Sequence, residues 1–188
     1  MSHYLDIHLR PDGELATHHI LGALYTRLHR SLVKMGSTDI GVSFPGHDDK
    51  KPSLGRHLRL HGPEAYLEKL MQTAWLIGIM DHLQVGAIAP APSDTHHRQV
   101  VRVQTKSSPA RLRRRAMRRH GITAEQAELR IPDTAAERLG LPFVVLGSVS
   151  TGQPSFPLFI RHGPLMAAKL PGSFNAYGLS KGATIPWF

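Results

Sequence analysis

The chain has 188 residues, 41% of them hydrophobic, no cysteine and a formal net charge of +9. That length holds one large or two small domains. The missing cysteine excludes disulfides, zinc–thiolate sites and a thiol nucleophile, and no apolar run approaches the ~20 residues that a membrane span needs.

In chain order, Tyr4 to Leu9 alternates as a strand, and Glu14 to Met35 reads as a long helix. Ile20, Leu21, Leu24, Leu28, Leu32 and Met35 form the apolar stripe of that helix, and Gly36-Ser37 ends it. Thr17 interrupts the stripe, and His29 falls about 60° beyond its edge, the position of an ordinary boundary histidine. Ile40 to Phe44 is a short strand, Pro45 to Ser53 a polar loop and Leu54 to His61 the next strand. Pro63 to Thr73 reads as a second helix and Gln84 to Ile88 as a fourth strand. The order strand, helix, strand, strand, helix, strand is the ferredoxin-like (RRM-like) signature. Ala89-Pro90-Ala91-Pro92 reads as a linker. The expected fold is therefore α+β, with a ferredoxin-like domain over 1–93 and a second α+β half over 94–188.

The second half holds the excess charge. Between Asp94 and Glu125 there is no acidic residue, while Arg98, Arg102, Lys106, Arg111, Arg113, Arg114, Arg115, Arg118 and Arg119 all fall there. After an alternating strand from Arg98 to Gln104, Ser108-Pro109 starts a helix and Gly121 stops it. Arg111, Arg114, Arg115, Arg118 and Arg119 occupy an arc of about 140°, with Leu112, Ala116 and Met117 opposite and Arg113 as the exception on the apolar side. A comb of guanidinium groups repels itself unless an anion lies against it, and arginine favours forked contacts to phosphate and guanine. Nucleic acid fits this better than a membrane, which needs larger apolar residues behind the basic face. A short helix from Thr123 to Leu129 follows. Pro142–Ser150 and Phe156–Arg161 read as two strands joined at Thr151-Gly152-Gln153, and the stretch from Asn175 to Phe188 as glycine-punctuated and extended.

Few chemical motifs stand out. Ser148 and Ser150 share a strand face near a glycine turn, either as a plain polar face or as a hydroxyl pair for a ribose. Their context is neither a hydrolase elbow nor a phosphate-binding loop. The 13 histidines form no closed metal-ligand set. Phe156 is either a core aromatic or a surface on which bases stack.

Several strings resemble the CRISPR repeat-processing endoribonuclease of subtype I-F systems. They are Arg102-x-Gln104, Ser108-Pro109-Ala110-Arg111-Leu112-Arg113-Arg114-Arg115-Ala116-Met117-Arg118-Arg119-His120, Arg130-Ile131-Pro132-Asp133, Ser148-Val149-Ser150-Thr151-Gly152-Gln153, Leu158 to Leu165, Tyr177-Gly178-Leu179-Ser180-Lys181-Gly182 and Pro186-Trp187-Phe188. In the first half they are Tyr4-Leu5-Asp6-Ile7, Leu28-His29 and Ile40 to Pro45.

The resemblance implies a metal-independent endoribonuclease without cofactors. It would cut CRISPR precursor RNA at the 3′ base of each repeat hairpin by 2′-OH attack, leave a 2′,3′-cyclic phosphate, and keep the mature guide RNA hairpin. It assigns His29 as general base or proton shuttle, Ser148 as the holder of the attacking ribose and Tyr177 as the residue that places the histidine. Arg102 and Gln104 read bases at the foot of the stem. Arg115 lies nearest the cut, and Arg111, Arg114, Arg118, Arg119 and His120 bind along the stem. Ser150 joins the RNA contacts, and Phe156 stacks under the closing base pair. Other Cas proteins of a surveillance complex are the expected partners, with no membrane partner. The N-terminus, Met1 to Asp6, is no signal peptide, so the expected location is cytoplasmic. The rival reading is a non-catalytic RNA-hairpin-binding protein.

Overall fold

The structure, a computed structural model, describes residues 1–48, 50–104, 109–131, 140–147 and 156–188. It is mixed α and β, with antiparallel sheets, and its residues fall into two compact units. One unit joins 1–103 to 141–188, and the other is 104–140.

The first unit is built on β1 (His3–Leu9). It pairs with β3 (His57–Gly62), which pairs with β2 (Gly41–Ser43), and its other edge takes β4 (Leu83–Val85), giving the order β2-β3-β1-β4. Register sets Leu5 opposite Leu60 and Ile7 opposite Leu58 on one face, with Asp6 opposite Arg59 and His8 opposite His57 on the other. The period of two along a strand makes this division. The apolar face lies under α1 (Thr17–Met35) and α2 (Glu64–Gln72), and Leu5, Ile7, Leu24, Leu28, Leu58, Leu60, Leu67 and Leu70 are buried there. Each such leucine contributes roughly 1.5–3 kcal/mol by leaving water.

The segment from Ala89 to Pro92 is not wholly a linker. Ala89–Pro90 is a strand, β5, and sets Pro90 opposite His3 and Ala89 opposite Tyr4. The Ala91 N–H donates to Ser2 O at 2.8 Å. Proline lacks a donor, so it is tolerated where a strand forms the sheet's edge.

α1 begins at Thr17 rather than Glu14. Asp12 Oδ1 accepts the N–H groups of Glu14 and Leu15, both at 2.8 Å, and holds them in a turn before the helix. Gly36 closes the helix with φ +60°. Every residue of the expected stripe is buried except Met35, which is half-buried. Gly22 and Tyr25 are buried as well, because β8 (Phe143–Leu146) packs against this side of α1. A side chain at Gly22 would put its Cβ 2.7 Å from Val145 O.

β8 is an edge of the three-stranded sheet β7-β9-β8, completed by β7 (Val100–Val103) and β9 (Phe156–His162). The C-terminal segment adds β10 (Ser173–Phe174) with β11 (Ser180–Lys181), and β12 (Ile185–Trp187) with β6 (His96–Arg98). At the foot of β3, Asp6 takes hydrogen bonds from Arg59 and His57, and the Arg59 guanidinium also donates to Phe188 O at 2.8 Å.

The second unit is a helix pair, α3 (Pro109–His120) and α4 (Ala124–Arg130). Thr123 and Gln126 form a capping box at the start of α4, and Gly121 ends α3 with φ +60°. Ser108, expected to cap α3, lies outside the described residues. No helix among the described residues is long and apolar enough to cross a membrane.

Candidate active site

A turn at Asn175 to Leu179 is the base of the site. Asn175 Oδ1 accepts the N–H groups of Tyr177 at 2.8 Å and Leu179 at 3.1 Å, an Asx turn. Gly178 has φ +71°, and a Cβ there would sit 2.6 Å from Val42 Cγ1. Only glycine lets the turn lie this close to β2, where Gly178 O accepts the Val42 N–H at 2.9 Å.

α1 grips this turn through side chains one helical turn apart. Tyr25 Oη donates to Tyr177 O at 2.7 Å, and His29 Nδ1 meets Ala176 O at 2.8 Å. Burial pushes the Tyr25 hydroxyl well above its ordinary pKa, so it stays a donor. The His29 ring stacks on Tyr177, with centroids 4.0 Å apart and 12° between planes. Arg102, exposed on β7, sets its guanidinium carbon 5.5 Å from the centroid of the same ring.

The carbonyl of Ala176 can only accept. His29 Nδ1 therefore carries the hydrogen, and in the neutral ring the free lone pair belongs to Nε2. The stacked tyrosine fixes the ring plane. The result is a half-buried imidazole with a set tautomer and its lone pair on Nε2, stacked on a tyrosine ring that Arg102 also meets.

The second unit presents a different surface. On α3, Arg111, Arg114, Arg115, Arg118, Arg119 and His120 are exposed, whereas Leu112, Arg113, Ala116 and Met117 are half-buried. The five exposed arginines line a groove of about 380 Å³. Arg113, the apparent exception, donates from Nε to Ile131 O at 2.9 Å and faces Glu128 at 3.7 Å. It fastens α3 to α4 and leaves the comb to the outer face.

A family model described as "CRISPR-associated protein (Cas_Csy4)" matches residues 4–188. The chain belongs to the Cas_Csy4 family. It is 53% identical over 188 residues to a Pseudomonas aeruginosa (strain UCBPP-PA14) protein named "CRISPR-associated endonuclease Cas6/Csy4", covering 100% of both chains. An Escherichia coli (strain UTI89 / UPEC) protein of the same name is 44% identical, again over the full length of both. The resemblance noted in the sequence is thus that of a Cas_Csy4 protein.

Within this Cas_Csy4 chain, His29, Tyr177 and Arg102 come together, although 148 positions separate His29 from Tyr177. Gln104 is exposed, just beyond β7. Phe156 is half-buried opposite Leu146 and packs against the core, so it has both a buried and an open side. Ser148 and Ser150 lie outside the described residues, as does the turn Thr151 to Gln153. Tyr25, Asn175 and the Ala176 carbonyl join the site beyond the residues that the sequence singles out. Tyr25 alone carried a signal, since it sits one turn before His29 at the margin of the apolar stripe. Asp6, His8 and His57 also converge, with ligand atoms within 4.8 Å of one another. Arg59 already occupies both oxygens of the Asp6 carboxylate there, so the cluster is a hydrogen-bonded network centred on Asp6.

Proposed function

We propose that this Cas_Csy4-family endonuclease binds the hairpin of CRISPR repeat RNA and cuts the precursor at the hairpin's 3′ base without a metal ion. The ribose 2′-OH beside the scissile phosphate attacks in line, and His29 Nε2 takes its proton. The products are a 2′,3′-cyclic phosphate and a 5′-OH. Tyr177 and Ala176 O hold the imidazole, and Ser148 holds the attacking ribose. Arg102 and Gln104 read bases at the foot of the stem. The outer face of α3 grips the stem through Arg111, Arg114, Arg115, Arg118, Arg119 and His120, with Ser150 and Phe156 at the stem's end. Such a grip retains the product, so turnover is low and the guide RNA stays bound for other Cas proteins. The strand order β2-β3-β1-β4 supports reading the first domain, 1–93, as ferredoxin-like, with 94–188 as the RNA-binding half.

The observation that carries this reading is the His29 Nδ1 hydrogen bond to Ala176 O, which leaves Nε2 as the acceptor. In-line attack needs positioning and one proton acceptor, and a general base supplies about 10²–10⁴-fold. A 2′-OH nucleophile also restricts the reaction to RNA. The test is to incubate labelled repeat RNA with excess chelator. A cyclic-phosphate end confirms the reaction. RNA that stays bound but intact would instead make the protein a hairpin binder, and cutting that appears only on adding metal would remove His29 from the base role.

A further inference from the structure

The first unit contains a second basic surface that the roles above do not use. α1 has no acidic residue from Thr17 to Met35. A cleft of about 440 Å³ runs along it, lined from the helix by His18, His19, Arg27 and Arg30, from β8 by Val145 and just beyond that strand by Gly147. His18 and Gly22 fall within about 20° of His29 around the helix, so the cleft starts on the stripe that carries the base. Gly22 makes the cleft possible, because it lets the β8 backbone approach the helix.

The donors here are placed but not used up. Arg27 Nη1 is held by Ile77 O at 2.8 Å, which sets the guanidinium at the cleft wall. Arg30 is exposed and has no hydrogen bond or ion pair among the described residues. The His18 and His19 rings are exposed and meet edge to face at 4.2 Å. Apart from Val145, the lining offers no large apolar group. A cation beside exposed flat rings suits single-stranded RNA, whose phosphates take the charge and whose bases stack on aromatic rings.

We propose that this cleft binds the single-stranded RNA flank 3′ of the cut, with Arg30 on a phosphate and His18 and His19 against a base. The inference rests on the cleavage reading, since that reading puts a flank next to His29. The flank leaves with the 5′-OH, so the cleft holds the precursor before cleavage and weakens its grip once the strand is severed.

The experiment measures binding of a repeat hairpin that carries a 2′-deoxyribose before the scissile phosphate. The flank is either long or trimmed to one nucleotide. Wild-type protein is expected to bind the long-flank RNA several-fold more tightly, and Arg30→Glu to lose about tenfold on that RNA and much less on the trimmed one. Arg30→Ala should lower the salt slope on the long-flank RNA by about 0.7, the share of one single-strand phosphate. Equal wild-type affinity for both RNAs, or an equal loss on both from Arg30→Glu, overturns the proposal; a cleft built for an acidic protein segment would give the first result. The deoxy RNA cannot be cut, so these outcomes are independent of cleavage, which is read separately on the all-ribose RNA.

Discussion

His29 has two neighbours that do different work. Ala176 O selects the tautomer, and Tyr177 holds the ring plane. His29→Ala should therefore cut at least about 10²-fold more slowly in single turnover while repeat-RNA affinity stays nearly unchanged. A parallel fall in affinity would show that the histidine mainly binds. Tyr177→Leu keeps bulk but loses the flat stacking surface, so the rate should fall with little change in Kd. Arg115→Ala should weaken hairpin binding by about 1–3 kcal/mol if its fork meets a guanine, as a filter-binding titration would show. The residues themselves were legible: His29 and Tyr177 from the resembling strings, Arg115 from the charge block. Their mutual contact was not, because nothing in local spacing joins a helix near the start of the chain to a turn near its end.

At the scale of elements, α1 is held on two sides, and the sequence showed only one. Its apolar stripe follows from the 3.6-residue period. The burial of Gly22 and Tyr25 comes from β8 and the Asn175 turn, which arrive from the far end of the chain. Gly22→Ala tests this side. Alanine is the better helix former by about 1 kcal/mol, yet its Cβ would meet Val145 O at 2.7 Å. The backbone oxygen cannot swing away, so strain outweighs propensity, and a net loss of about 1–3 kcal/mol is expected in urea unfolding. A gain in stability would show that the helix and β8 are not packed this way. For α3 the reverse holds. Its two faces were readable from angle alone, since Leu112, Ala116 and Met117 had to turn toward a neighbour and the arginines away. Only Arg113 needed α4 to be understood.

Across the whole molecule, buried histidines set the response to acid. Burial pushes His61, bonded to Ser43 Oγ, and His162 down to about 3. An unfolded histidine titrates near pH 6.5, so below that pH the unfolded chain takes up protons that the fold refuses. Stability should fall as the pH drops from about 6.5 toward 3, by roughly 2 kcal/mol for each histidine at pH 5. Asp6 acts in the same sense at lower pH: burial opposes its charge, but hydrogen bonds from His57 and Arg59 outweigh that and hold its carboxyl well below the usual range. Urea midpoints at pH 7 and pH 5 check this, and equal midpoints would refute it. The sequence by itself determined what is periodic or compositional: the amphipathic helices, the alternating strands, the displaced block of positive charge and the family to which the chain belongs. These depend on neighbours a few residues apart. Only the tertiary structure decided that Ala89-Pro90 completes a sheet edge, that His61 and His162 are buried, and that a carbonyl at 176 orients the imidazole at 29. Each of those joins residues far apart in the chain, and it is the closing of the core that brings them within reach.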